Sequence, residues 1–120
     1  FVLNLDPAFA DAARKALESR PTAVFLTADT FAPDFYAAAA SSSLRIGQDV
    51  SVVGFADLEM GRRLTPALTT VRQHAEEIGR RAAALMLDRC NGRLPAGSPP
   101  QQVRLPVDFV TRESTGPVPA

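Results

Sequence analysis

DVSVVGFADLEMGRRLTPALTTVRQ, residues 49–73, decides how the rest of the chain reads. It opens with an apolar run, Val50 to Phe55, in which Val52 and Val53 are adjacent and β-branched. Successive side chains of a strand point to opposite faces, so both faces of this one call for cover. That is the pattern of a parallel strand between helical layers. An acidic turn follows at Ala56–Asp57, and a short amphipathic piece runs to Leu64. Thr65–Pro66 makes a loop, and Leu68 to Val71 reads as another short strand. Open parallel sheets hold ligands at the carboxyl ends of their strands. Ala56 and Asp57 sit at such an end and are the first candidates for a binding edge.

Upstream, Thr22 to Thr27 (TAVFLT) is a second apolar strand, and Ala28–Asp29–Thr30 is the turn at its carboxyl end. Thr30 reads as the N-cap of a helix from Phe31 to Ser43, with Phe31, Phe35, Ala38, Ala39 and Ser42 on one face. Before it, Asp6–Pro7 reads as a cap followed by a first-position proline. That helix runs to about Ser19, with Phe9, Ala12, Ala13, Ala16 and Leu17 facing inward, and Pro21 stops it. Phe1 to Leu5 reads as a short strand. Downstream, the longest helix spans roughly His74 to Arg89, with Ala75, Ile78, Ala82, Leu85 and Met86 forming a stripe. Glu77 and Arg81 make an i,i+4 pair in the favourable orientation. Asn91–Gly92 ends the helix, and Arg93 to Pro100 is loop. Gln102 to Val110 is extended but broken by Pro106, which fits an edge strand. Thr111 onward reads as a tail. The alternation of strands and helices predicts an α/β fold with a three-layer parallel sheet. TAVFLT and VSVVGF should be parallel neighbours with Asp29 and Asp57 on the same edge.

At 120 residues the chain has room for one core. Thirteen basic residues balance thirteen acidic ones, so no nucleic-acid or acidic-membrane footprint is expected. The single cysteine, Cys90, excludes an internal disulfide and fits a reducing compartment. It ends the apolar stripe of the long helix, where a buried or half-buried thiol is expected. No apolar run approaches a membrane span, and no signal-peptide pattern is visible. The chain opens at Phe1 rather than at a methionine, which reads as processing or a fragment.

Enzymatic readings fare poorly. A receiver-type phosphoacceptor domain has a similar alternation and an acid placed like Asp57. It also needs an acidic pair after the first strand and a lysine after the fifth, and the only lysine here is Lys15, inside the first helix. No G-x-S-x-G, P-loop or Cys/His arrangement is present. His74, the only histidine, has no ligand-spaced partners. No catalytic residue, cofactor or metal is therefore expected.

Several strings, in one order and with matching gaps, carry a resemblance. They are Pro21 to Phe25 with Asp29, Leu44 to Phe55 (LRIGQDVSVVGF), Thr65 to Gln73 (TPALTTVRQ), Glu77 with Gly79 to Ala82, and Arg112 to Thr115. Together they resemble the effector-binding domain of LacI/GalR-type bacterial transcription regulators. The resemblance implies a periplasmic-binding-protein-like fold of type I, with effector held between two lobes. It makes residues 1–71 the C-terminal lobe, 72–110 a segment packing on the other lobe, and 111–120 a return and tail. It implies a cytoplasmic homodimer that senses a small molecule such as a sugar. Operator DNA would be bound only through a headpiece this chain does not contain, and no membrane is involved. The alternative is a secreted or periplasmic solute-binding protein of the same fold; VSVVGF and TPALTTVRQ favour the regulator.

The resemblance also implies roles. Effector contacts fall at the two turns, Ala28–Asp29 and Ala56–Asp57. The first residue of each pair, usually polar in the family, is alanine here. That predicts weakened hydrogen bonding to simple sugars, by about 1–3 kcal/mol per missing group. Asp29 and Asp57 each have a competing role as a local cap or helix-dipole partner. The implied dimer contact comprises Met60, Arg63 and Leu64, with Phe35 or Tyr36 nearby. Arg62 and Arg63 read as solvated or at a subunit contact. Core packing is the competing reading for Phe35, and inward folding for Met60 and Leu64.

Overall fold

The computed structural model describes residues 7–95 and 97–118. The strand expected at Phe1 to Leu5 and the cap expected at Asp6 lie outside the described residues. The chain divides into two compact units, one of residues 1–72 with 108–120 and the other of residues 73–107.

The first unit begins with helix α1, Pro7–Glu18. Ala13 and Leu17 are buried and Phe9 packs beside them. These positions repeat every four residues, so they share a face. Ala12 and Ala16, also expected inside, are exposed. Strand β1 is Ala23–Phe25, followed by a 3₁₀ turn, Asp29–Phe31, and helix α2, Ala32–Ser41. Thr30 lies inside the 3₁₀ turn rather than capping α2, whose N-cap position is Phe31. Ser43 ends α2 in the left-handed region (φ 56°). Its N–H donates to Ala40 O, and the Leu44 N–H donates to Ala39 O. This is the paired closure that glycine commonly makes, carried out here by serine.

Strand β2 is Ser51–Phe55, short helix α3 is Glu59–Arg62, and strand β3 is Thr69–Gln73. A last strand, β4, is Val107–Val110. It starts just after Pro106, which confines the extended run to four residues. The sheet order is β1-β2-β3-β4. β1 and β2 run parallel with Val24 opposite Val52, and β2 and β3 run parallel with Gly54 opposite Thr70. The expected parallel pairing of TAVFLT with VSVVGF is thus present.

Cover on the two faces is uneven. Val52 and Gly54 are buried, whereas Ser51, Val53 and Phe55 are half-buried. The buried side meets Phe35, Ala38 and Ala39 of α2 and Ala13 and Leu17 of α1. Phe9 and Phe31 stack with centroids 4.6 Å apart at the rim of this core. On the other side Phe25 stays 57% exposed.

Residues 111–118, after β4, are not a loose tail. Ser114 is fully buried. Its Oγ donates to Val52 O (2.6 Å) and accepts from the Thr69 N–H (2.7 Å). Its backbone N–H donates to Ala67 O, and its carbonyl accepts the Val52 N–H. One residue therefore satisfies groups on β2 and β3 at once. Gly116 and Gly47 approach so closely that a Cβ on Gly116 would lie 2.2 Å from Gly47 O, which leaves no room for a side chain.

The second unit holds helix α4, Ala75–Cys90, none of whose residues is buried. Its charged face is laced by Arg80–Glu76 (2.9 Å) and Arg81–Glu77 (3.2 Å). The predicted apolar stripe is present but uncovered: Ile78 is 42% and Met86 70% exposed. Cys90 is exposed too. This corrects the expectation of a buried or half-buried thiol: Met86 and Leu87, near it on the helix, are exposed as well. Within the unit, Ile78, Ala82, Leu85, Val103, Leu105 and Pro106 line a groove of about 440 Å³.

Candidate functional site

The carboxyl edge of the sheet brings together the turns after β1 and β2, the end of β3, and Arg112. Asp29 is fully buried. Its Oδ2 accepts the Leu58 backbone N–H (2.8 Å), and its Oδ1 accepts the Thr70 hydroxyl (2.7 Å). The carboxylate lies against Gly54, where an added Cβ would be 2.2 Å from Oδ1. A Cβ on Gly61 would be in ordinary contact with Oδ2, at 3.6 Å. Asp29 is therefore sealed beneath the edge and joins β1, β3 and the turn after β2. Expected as an effector contact or a local cap or dipole partner, Asp29 stands in the first 3₁₀ turn, fully buried, and its acceptors serve Leu58 and Thr70.

Above it, Ala56 and Asp57 both have positive φ, at 113° and 55°. Non-glycine residues held there cost of order 1–3 kcal/mol each, so other interactions must fix the turn. The Ala56 N–H extends the parallel ladder to Val71 O at 2.8 Å, and the Leu58 amide, two residues on, is held by Asp29. Asp57 is held through its side chain, which is 2% exposed. Its Oδ2 accepts from Arg62 Nη2 (2.8 Å) and Arg72 Nε (2.7 Å). Its Oδ1 accepts from Arg112 Nη2. Arg112 is anchored in turn, donating from Nη1 to Leu68 O (2.7 Å) and from its backbone N–H to Thr69 Oγ1 (2.9 Å).

Burial alone would disfavour the Asp57 carboxylate. Hydrogen bonds from Arg62, Arg112 and Arg72, with the charge of Arg112, outweigh that and hold its pKa well below the usual carboxylate range. Ala28 and Ala56 are half-buried beside these groups and bring neither charge nor a side-chain hydrogen bond. The edge can therefore offer apolar contact from two alanines and donors from guanidinium groups.

The five residues expected at a subunit contact fall in different places. Phe35 is 2% exposed in the core, which removes it from any surface: its face of α2 covers the sheet. The half-buried Tyr36 donates its hydroxyl to Pro66 O (3.0 Å), and burial pushes the phenol up to about 12. Leu64 packs against the core. Met60 is half-buried, and Arg63 is exposed beside Glu59 (3.3 Å). Arg72 and Arg112 carry no expected site role, and Arg62, expected to be solvated or at a subunit contact, binds Asp57 instead.

Residues 3–115 match the family described as periplasmic binding protein-like domain. The chain belongs to the periplasmic binding protein-like family. Among its relatives, the ribose operon repressor of Haemophilus influenzae is 45% identical over 71 residues, 59% of this chain and 21% of that protein. A LacI family transcriptional regulator from Enterococcus faecium, solved with bound ribose, is similar at 32% identity and a TM-score of 0.74, over 91% of this chain and 40% of that one. The lac repressor dimer bound to operator and the anti-inducer ONPF gives 30% identity and a TM-score of 0.77, over 92% of this chain and 38% of that one. The chain thus spans about a fifth of the length of the curated relative and two-fifths of the solved ones. The LacI-type resemblance and the α/β fold class both hold.

The Asp57 cluster makes an acid-sensitivity prediction. The folded-state pKa lies below the unfolded one, so the cluster's contribution is complete above about pH 4 and fades as pH falls below it. Asp57→Asn should lower stability at pH 7 by roughly 2–3 kcal/mol. In urea unfolding the gap to the parent should narrow steadily from about pH 4 toward pH 2. A gap independent of pH would show that the charge of Asp57 is not what holds the turn.

Proposed function

We propose that this chain is the effector-side part of a LacI-type transcription regulator, a binding and signalling module rather than an enzyme, working in the cytoplasm. The observation that carries the reading is the fixed Ala56–Asp57 turn at the carboxyl edge of a parallel sheet, the place where open α/β sheets receive ligands. The relatives named above are repressors and regulators, and two of the structures hold small molecules. They support the regulator over a secreted solute-binding protein.

In this reading Ala28, Ala56 and Asp57 border the effector, with Asp57 acting through the arginines it gathers. Lobe closure on effector would shift the balance between two arrangements, and operator affinity with it. The effector must bind one arrangement better than the other for any shift to occur. The test uses the complete gene product and a labelled operator fragment. A panel of pentoses, hexoses and related metabolites should contain a compound that changes operator affinity tenfold or more. Ala28→Phe, which crowds the edge, should abolish that response and leave operator binding without effector intact. A protein that binds no operator, or an unaltered response in Ala28→Phe, contradicts the reading.

The regulator is also proposed to act as a homodimer, through Met60 and Arg63 with the outer parts of Tyr36 and Leu64. A two-fold contact pairs the same patch on both copies, so one substitution acts twice. Arg63→Glu, at an exposed position, should raise the dimer dissociation constant about tenfold in sedimentation, a loss of about 1.4 kcal/mol, while the dissociated subunit keeps its folded circular dichroism spectrum. Unchanged dissociation would remove this face from the contact.

A further inference from the structure

The arginines around Asp57 outnumber the acids they meet. Arg62, Arg72 and Arg112 converge on one carboxylate. With Asp29 beneath the edge and the neighbouring Glu59 and Arg63 counted in, four guanidinium groups stand against three carboxylates. Arg63 and Glu59 pair with one another nearby (3.3 Å) and leave that excess unchanged. An ionised carboxylate has about four lone-pair sites, and each guanidinium has five N–H donors. Three arginines therefore bring far more donors than Asp57 can accept.

The unused donors are unevenly placed. Arg112 is 15% exposed and spends both terminal nitrogens, on Leu68 O and on Asp57. Arg72 is 41% exposed and commits only Nε to Asp57. Arg62 is 48% exposed and commits one terminal nitrogen to Asp57. Its other terminal nitrogen lies 3.9 Å from Glu59, beyond hydrogen-bonding distance. Asp57 therefore aligns two half-exposed guanidinium groups and leaves terminal N–H groups over. Its neighbours at the edge, Ala28 and Ala56, carry no acidic group that would repel a second anion or satisfy those donors.

We propose that this edge recognises an effector carrying an anionic oxygen group, a carboxylate or a phosphate, with Arg72 as its principal donor and Arg62 as the second. Planar guanidinium groups bind both anions through paired N–H donors. Asp57 acts as a positioning residue that fixes the forks before the ligand arrives. The inference rests on the sensor reading above and gives its ligand a chemical class. It also gives the two alanines a consequence: a site poor in acceptors and rich in cationic donors suits acids better than neutral polyols.

The test is calorimetric titration of the complete gene product with matched pairs: ribose against ribose 5-phosphate, and galactose against galacturonate. The charged member of at least one pair should bind tenfold or more tighter than its neutral partner, and the advantage should shrink with added salt. The pair that discriminates tells phosphate from carboxylate. Arg72→Gln should erase the charged member's advantage, lowering its affinity far more than that of the neutral sugar. Arg72→Lys, which keeps the charge but not the fork, should retain part of it. If Arg72→Gln loosens the fold, Arg62→Gln serves the same comparison. No binding of either charged probe, or neutral sugars bound as tightly as charged ones, overturns the proposal. A neutral sugar that binds and alters operator affinity sinks this inference while the sensor reading stands. An acid that binds through Arg72 without altering operator affinity does the reverse.

Discussion

A buried carboxylate with two structural hydrogen bonds holds this sheet edge together. Asp29 has no exposed surface, and it accepts one hydrogen bond from the turn after β2 and one from β3. Hydrogen bonds to charged groups are worth about 1.5–3 kcal/mol each, and a buried acceptor left unpaired is costly. The arrangement depends on Gly54, where a Cβ would fall 2.2 Å from the Asp29 carboxylate. β1 ends, β2 turns and β3 aligns around one side chain.

The functional edge is built on that base. Once the Leu58 amide is tied down, Ala56 and Asp57 are held in conformations that alanine and aspartate rarely adopt. Asp57 then organises arginines drawn from α3, β3 and the returning segment. Ser114 and Arg112 bind that segment to β2 and β3 in the same region. The carboxyl edge and the return of the chain are therefore one connected polar network, so any rearrangement of the return is felt at Asp57.

Much of this architecture was legible in the sequence. Adjacent apolar β-branched residues placed β2, and four-residue spacing placed Ala13 and Leu17 in the core. The resemblance placed the edge. The exceptions have a common cause in long-range polar contacts. Thr30 had the chemistry of a cap, but Asp29 is spent on other strands and the turn winds as a 3₁₀ segment instead. Arg72 and Arg112 reach Asp57 from 15 and 55 positions away, separations that no local pattern encodes. Gly54 was the available clue, since glycine inside a strand marks a close approach by another group. Cys90 was misplaced because a helical stripe announces a need for cover without saying whether cover is present.

The most direct test is native-state hydrogen exchange at the Leu58 amide. This residue is 38% exposed and lies outside any strand or helix, so only its bond to Asp29 can slow exchange. The account predicts protection approaching that of the Leu26 amide, which is bonded to Val53 O at 2.8 Å, and far above that of exposed Gln102. Exchange at Leu58 as fast as at Gln102 would show that the buried carboxylate does not hold the turn, and the basis for a preorganised edge would be gone.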